Sequence, residues 1–267
     1  MTSVNLPISV IVPLATSKIW FFENYCLPSI EQNSPSEILV IKDDGTRAKK
    51  INIGLNKASE PYVFICDTNV SLSGNILRNM HRTLKEDSEY SFVYTDYWVI
   101  RATKFMPFES HNINSLSNKD FNWEYYINKH EDLLERLDYT KEAAFRHWTK
   151  HGRDEGRTAN PPSSASFFVN SKYYSRETLE KFAFLDSQIL FKTTDQKFDE
   201  TLCCWEDWDF WLSYTKSGKK GTYITGVYPM FLKFFLDAKE FTEQFSKNDF
   251  REKEKARMIK KHGLSND

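Results

Sequence analysis

Short runs of β-branched and aromatic residues alternate with helical patterns along the first hundred residues of the chain. Four runs have the length of buried strands, and they lie at residues 8–12, 37–41, 62–66 and 91–94. Helical spacing of apolar residues occurs between them, at residues 20–32 (with Pro28 inside), 52–58 and 74–85. Strands that alternate with helices predict an α/β fold with a mostly parallel sheet and flanking helices.

The middle of the chain has a different pattern. Residues 121–157 contain two amphipathic helical patterns, and Gly152 and Gly156 close the second one. A loop signal follows at residues 160–164, and the last third returns to mixed structure, with short strands predicted at 167–169, 189–191 and 222–224 and helices at 206–217 and 239–262. We therefore predict an α/β half at residues 1–117, a small helical insertion at 118–162, and a second α/β half with a C-terminal helix at 163–267.

Acidic residues follow three of the four predicted strands in the first half. Asp43 and Asp44 follow the second strand, Asp67 follows the third and Asp96 the fourth. Ligands of open α/β sheets bind at the carboxyl ends of the strands, so these acids predict a shared polar site. Aspartate is also common in turns after strands, which is the alternative interpretation.

Composition narrows the classes of function. The chain has 267 residues and a formal net charge of −1, which argues against a nucleic-acid-binding protein. No apolar run has the length of a membrane span, and the N-terminus shows no signal peptide, so a cytoplasmic location is the expectation. Basic residues are concentrated at 247–262, which indicates either a solvated helix face or contact with an anionic membrane or acceptor.

Cysteine and histidine spacing gives no metal or nucleophile pattern. The cysteines at positions 26, 66, 203 and 204 form no CxxC pair, and we expect them to be reduced. The histidines form no triad and no zinc pattern.

Several motifs together resemble the glycosyltransferases of family 2, which have the GT-A fold, a Rossmann-like nucleotide-binding arrangement. The resemblance covers roughly residues 7–100 and 186–235. It rests on five pieces in the family's order: Ile8-Ser9-Val10-Ile11-Val12-Pro13, Ile41-Lys42-Asp43-Asp44-Gly45-Thr46, Asn52-Ile53-Gly54 with Ala58 and Tyr62, Asp67-Thr68-Asn69, and Phe198-Asp199-Glu200 with Trp205-Glu206-Asp207-Trp208-Asp209-Phe210-Trp211-Leu212. Residues 122–157 resemble a helical module that accompanies sugar-transfer proteins.

The resemblance implies a nucleotide-sugar-binding half at 1–117 and an acceptor-side half at 163–267. In the first half, Asp44 is expected to accept the ring N–H of the nucleotide base, and Asp43 to shape the turn beside it. The same comparison assigns Asn52 and Asp67 to the donor side. The nucleoside pocket is expected to be lined by the residues that end the first strand, Pro13, Leu14 and Ala15.

Asp67 and Asn69 occupy the positions at which the family has its Asp-x-Asp metal motif. The implied cofactor is Mn²⁺ or Mg²⁺, which prefers oxygen ligands and acts as a Lewis acid on the leaving diphosphate. Asn69 stands where the family has an acid, so the metal affinity is expected to be lower.

Asp207 is the expected general base, with Glu206 as its acidic neighbour. The resemblance places this pair at the start of a helix beneath the acceptor. The alternative is that these acids only cap the helix. Trp205 is a candidate partner for a sugar face, whereas Trp208 and Trp211 at helical spacing favour core positions.

The sequence therefore predicts an inverting, metal-assisted glycosyltransferase for a nucleoside-diphosphate sugar, with a UDP-sugar favoured, and a glycan or other hydroxyl acceptor. The alternative is a nucleotide-sugar-binding or scaffold subunit with little or no activity. A nucleotidyltransferase is disfavoured because no Gly-rich basic loop follows the first strand.

Overall fold

The protein, represented by a computed structural model, is described for residues 5–101, 121, 123–134, 136–152, 155, 157, 166–169, 173–186, 188–202, 204–224, 231–235 and 248–264. The strands are β1 Leu6–Pro13, β2 Pro35–Ile41, β3 Tyr62–Ile65, β4 Val70–Ser71, β5 Tyr90–Thr95, β6 Tyr97–Arg101, β7 Ser166–Val169, β8 Leu190–Lys192, β9 Lys220–Ile224 and β10 Phe231–Phe235. Besides the three-residue helical turn Ile19–Phe21, the α-helices of the described residues are α1 Leu27–Gln32, α2 Arg47–Lys57, α3 Ile76–Glu86, α4 Trp123–Lys129, α5 Glu131–Leu134, α6 Lys141–His147, α7 Arg176–Lys181, α8 Glu206–Thr215 and α9 Asn248–His262.

A six-stranded sheet in the order β2-β1-β3-β8-β5-β9 forms the centre of the molecule. Strand β8 runs antiparallel to both neighbours, and the other pairs are parallel. Ile8 and Val10 pack into one apolar cluster and Ile11 into the other, so β1 is buried on both faces. The predicted α/β fold with a mostly parallel sheet and flanking helices is confirmed.

Helix α2 begins five residues before the predicted helix at 52–58. Thr46 caps it, because its side-chain oxygen accepts a hydrogen bond from the backbone N–H of Lys49. The helix then lies very close to β1, where a Cβ on Gly54 would clash with Cγ2 of Ile11. The early start places Arg47 in the first helical turn, above the ends of the strands.

The helical pattern at 20–32 also forms, with a modified middle. A π-helical turn, Phe22–Cys26, continues directly into α1, and Pro28, which has no backbone N–H to donate to the preceding turn, lies just after this junction. Cys26 and Cys66 are buried free cysteines, as expected, and Cys203 lies outside the described residues.

A second sheet, in the order β4-β10-β6-β7, was not predicted. Its strands come from distant parts of the chain, and β10 pairs with β4 on one side and with β6 on the other. The predicted strand at 167–169 belongs to it as β7, and the predicted strands at 189–191 and 222–224 belong to the large sheet as β8 and β9.

The helical segment lies between β6 and β7 in the chain. Its described side chains form a small core of their own, with Tyr126 and Trp148 almost fully buried in it. Arg157 fastens the segment by two hydrogen bonds to the carboxylate of Asp132, at 2.6 and 2.8 Å. The boundaries 118–162 stay a prediction, and the loop at 160–164 lies outside the described residues.

The C-terminal helix α9 is described from Asn248, so the first part of the predicted helix at 239–262 lies outside the described residues. Within the part of the chain that the structure describes, no helix has both the length and the apolar character needed to cross a membrane.

Candidate active site

Arg47 joins three acids that are far apart in the sequence. Its Nε lies 2.8 Å from Oδ1 of Asp67, and its Nη1 lies 3.2 Å from both Oε1 of Glu206 and Oδ1 of Asp207. Asp67 follows β3, whereas Glu206 and Asp207 begin α8. The structure therefore brings the predicted metal ligand Asp67 and the predicted base Asp207 together around one guanidinium group.

Asp67 is held from a second side by Gln188. The side-chain Nε2 of Gln188 donates to Oδ2 of Asp67 at 2.9 Å, while Arg47 binds Oδ1. Both carboxylate oxygens thus have protein donors, and Gln188 is almost completely buried. Such a carboxylate is fixed in place at the end of its strand.

Asp207 lies in an environment that disfavours its charged form. Burial raises the pKa of Asp207 to about 8, against the opposing effect of Arg47, and the nearby charges of Glu206, Asp186 and Asp67 add to the rise. For Arg47, burial works to lower the pKa, but the charges of Asp207, Asp67 and Glu206 hold it well above its ordinary value. Arg47 is therefore a permanent cation, while Asp207 can exchange a proton near neutral pH.

Asp186 is a member of this acid group that the sequence did not indicate. It precedes β8, and because β8 is antiparallel to β3, the start of β8 lies at the same edge as the end of β3. Its Oδ2 accepts a hydrogen bond from the hydroxyl of Tyr97 at 3.3 Å, and Trp211 donates to its backbone oxygen. An acid just before a strand can be assigned to this edge of the sheet only when the direction of that strand is known.

The first turn of α8 is not an ordinary capped helix start. Trp205 is the N-cap residue, with φ at 65° and no side-chain cap hydrogen bond. A left-handed backbone is uncommon for tryptophan and marks a constrained position. Glu206 and Asp207 both pair with Arg47, so the simple capping interpretation does not describe them.

Behind that turn, α8 is anchored in the core. Trp208 donates its indole N–H to the backbone oxygen of Leu179, and Trp211 is fully buried. Both tryptophans are core residues, as their spacing favours. Asp209 is also buried, and it accepts from Nε2 of His262 at 2.7 Å and from Nζ of Lys261 at 2.9 Å.

Helix α9 thus has a structural contact that the sequence did not indicate. Lys261 also reaches Asp199 at 2.9 Å, and Arg257 donates to Thr201. Part of the basic surplus of this helix is therefore turned toward the protein, in addition to its exposed positions. Contact with a membrane stays a prediction.

The expected nucleoside residues lie at the ends of β1 and β2. Asp43 accepts the backbone N–H of Gly45 at 2.7 Å and pairs with Lys49 at 3.1 Å, while Asp44 is exposed. Pro13 and Leu14 are buried and Ala15 is partly buried. The backbone oxygen of Leu14 accepts from Nζ of Lys50 at 2.9 Å.

Asn52, expected on the donor side, links two parts of the chain. Its Nδ2 donates to the backbone oxygen of Phe198 and to Glu200, and its Oδ1 accepts the backbone N–H of Phe198 at 2.8 Å. Its amide is therefore engaged in holding residues 198–200 against α2. Asp96, which follows β5, accepts a hydrogen bond from the hydroxyl of Tyr223.

The predicted metal ligands fit a divalent cation poorly in this arrangement. Asn69 is buried and uncharged, and Asp67 is already bound by Arg47 and Gln188. Among the described residues, no group of three or more histidine, cysteine, aspartate or glutamate side chains is placed to hold a metal ion. The cofactor stays a prediction, and the cation that the site contains is Arg47.

Comparisons with known proteins give no family assignment. No family model matches the chain, and neither does any curated protein. S. aureus TarS 1-349 in complex with UDP-GlcNAc is 11% identical, with a TM-score of 0.48 over 92% of this chain and 64% of that chain. The complex of the same TarS fragment with UDP is 11% identical, with a TM-score of 0.45 over 89% and 63%. A longer TarS structure is 12% identical, with a TM-score of 0.45 over 89% and 38%, so this chain spans less than two thirds of each TarS chain.

Proposed function

We propose that the protein is a glycosyltransferase that moves a sugar from a nucleoside-diphosphate sugar to a hydroxyl group of a glycan or another acceptor. The observation that carries this proposal is the environment of Asp207. It begins a helix at the strand-end edge of the sheet, beside Asp67, and burial raises its pKa to about 8. A carboxylate with a pKa near neutral pH suits a general base.

In the proposed step, the acceptor oxygen attacks the anomeric carbon from the side opposite the diphosphate. The bond between the acceptor oxygen and carbon forms while the carbon–oxygen bond to the diphosphate breaks, and its electron pair leaves with the diphosphate. Asp207 takes the hydroxyl proton of the acceptor. A single displacement of this kind inverts the configuration and needs no covalent intermediate.

Glu206 supports the base without touching the reacting atoms. It shares Arg47 with Asp207, and its negative charge raises the pKa of Asp207. A helix N-terminus stabilises a carboxylate and would make it a weaker base. Burial and the neighbouring acids offset that effect here.

On the donor side, we assign the nucleoside to the ends of β1 and β2. Asp44 is exposed and available to accept a ring N–H from the base, and Pro13, Leu14 and Ala15 border this region. A UDP-sugar is the favoured donor.

Replacing Asp207 tests this function. We expect Asp207→Asn to lower transfer by about 10²- to 10⁴-fold, because the amide cannot accept the proton, while UDP affinity changes little. The matched control is Asp138→Asn, which removes an exposed carboxylate in the helical segment and should keep wild-type turnover. The assays are transfer and hydrolysis of UDP-sugars, with calorimetry of UDP. Wild-type turnover in Asp207→Asn would disprove the role of this residue.

A nucleotide-sugar-binding subunit without turnover is the second candidate. Two features favour it: Asn69 stands where the family that the sequence resembles has an acid, and Asp207 is paired with a cation. Calorimetry and turnover together separate the two functions. Tight UDP-sugar binding without transfer or donor hydrolysis in any buffer would identify the binding subunit.

A further inference from the structure

A cation already lies where the proposed reaction needs positive charge. The guanidinium of Arg47 is within 3.3 Å of the carboxylates of Asp67, Glu206 and Asp207. These are the acids that would otherwise draw a divalent ion to the strand-end edge. One carboxylate oxygen of Asp67 is already bound to Arg47, and the side chain of Asn69 is uncharged. A metal ion would therefore have to displace Arg47 before it could bind.

The surrounding turn is also basic. The first turn of α2 contains Arg47, Lys49 and Lys50 and no acid. Bases at a helix N-terminus oppose the helix dipole, so an arrangement of this kind is stabilised by an anion nearby. Lys50 already reaches the backbone oxygen of Leu14 at the end of β1, which borders the proposed nucleoside region.

We propose that Arg47, assisted by Lys50, takes the place of the divalent cation: it binds the diphosphate of the donor and stabilises the charge that leaves with it, so that binding and transfer need no metal ion. This inference rests on the proposed function. An arginine can bind two phosphate oxygens at once and keeps its charge at every working pH. Fixed positive groups at the point where negative charge develops are effective stabilisers of a transition state.

Arg47 retains capacity for such a ligand. Its Nη2 atom is buried and has no hydrogen-bond partner in the described part of the chain, although the side chain as a whole is 27% exposed. A buried guanidinium nitrogen without a partner costs free energy, which a phosphate oxygen would recover once the side chain turns this nitrogen toward its exposed side.

Calorimetry of UDP binding in EDTA and in Mn²⁺ tests this inference. For the wild-type protein, we expect UDP to bind in EDTA, with an affinity that Mn²⁺ changes by less than about threefold. Arg47→Ala should weaken UDP in EDTA by at least about tenfold, the loss of one charged hydrogen bond, while the affinity for uridine stays unchanged. The matched control is Lys57→Ala, at the exposed far end of the same helix, which should bind UDP as the wild type does.

Arg47→Lys is a second variant that keeps the test usable if Arg47→Ala does not fold. It keeps the charge but not the planar fork, so it should bind UDP in EDTA more weakly than the wild type and still without Mn²⁺. Titration of Mn²⁺ alone adds a readout that is independent of nucleotide. Arg47→Ala should bind Mn²⁺ more tightly than the wild type, because its three acids have lost their cation.

Each outcome of these titrations supports or overturns the inference. UDP binding that appears only with Mn²⁺, or full UDP affinity in EDTA for the folded Arg47 variants, would overturn the role of Arg47 and leave the proposed function standing. UDP binding in neither buffer would overturn the assignment of a UDP-sugar as the donor, and this inference with it.

Discussion

Two aspartates of the same helix, two residues apart, have opposite surroundings. Asp207 faces the strand-end edge, where its side chain is 23% exposed and lies among other acids around Arg47. Asp209 faces α9, where its side chain is 2% exposed and pairs with Lys261 and His262. One face of α8 therefore collects negative charge, and the other neutralises it.

The different surroundings indicate different roles: Asp209 contributes to the stability of the fold, and Asp207 to the proposed chemistry. Asp209 is a single carboxylate with two basic partners, so its contacts stabilise the position of α8 against α9. Asp207 shares a single cation with other acids, an arrangement that raises its pKa and is unfavourable for the folded state. Clusters of this kind are typical of functional sites, which are held in place by stable structure around them.

Removing the stabilising aspartate should have the largest effect on folding. Asp209→Ala should lower the free energy of unfolding by about 3 kcal/mol, because it leaves His262 and Lys261 without their buried partner. Urea denaturation measures the loss, with Asp138→Ala as the exposed control. If Asp209→Ala were as stable as the control, α9 would not anchor α8.

Neutralising Asp207 should act in the opposite direction. An acid whose pKa is higher in the folded chain stabilises the fold at low pH and loses that contribution as the pH rises through its folded pKa, here about 8. Asp207→Asn cannot ionise, so its stability should fall less than that of the wild type between pH 4 and pH 8. We expect a melting temperature about 2–4 °C above the wild type at pH 8 for each kcal/mol relieved.

Thermal melts at several pH values measure this difference. A lower melting temperature for Asp207→Asn at pH 8 would contradict the raised pKa of Asp207. It would also remove the contrast between the two faces of α8.

Lys261 should contribute least. Its side chain is 43% exposed, and Asp209 keeps His262 when Lys261 is lost. Lys261→Ala should therefore cost about 1 kcal/mol or less of unfolding free energy in urea denaturation. A loss as large as that of Asp209→Ala would show that Lys261, rather than His262, is the main partner.

The sequence predicts the strands of the six-stranded sheet and the acids that follow them well, because both depend on local signals. The apolar run of β1 and the Asp-Asp-Gly turn after β2 can be read within a few residues. The start of α2 at Arg47 was missed because Thr46 was not recognised as its cap.

The groups that surround Asp207 could not be predicted in the same way. Arg47 is 160 positions away in the sequence, and Asp186 joins the site only because β8 is antiparallel. His262 has no local motif, and its contact with Asp209 depends on how α9 packs against α8. These are long-range contacts, and hydrophobic periodicity carries no information about them.

The pH dependence of transfer tests most directly whether Asp207 is the base. With a UDP-sugar as donor, we predict that kcat/KM of the wild type rises about tenfold per pH unit below an ionisation near pH 8 and then levels off. Asp207→Asn should show a low rate without this ionisation. A wild-type rate that stays constant between about pH 5.5 and 9, or the same profile in Asp207→Asn, would show that Asp207 is not the base.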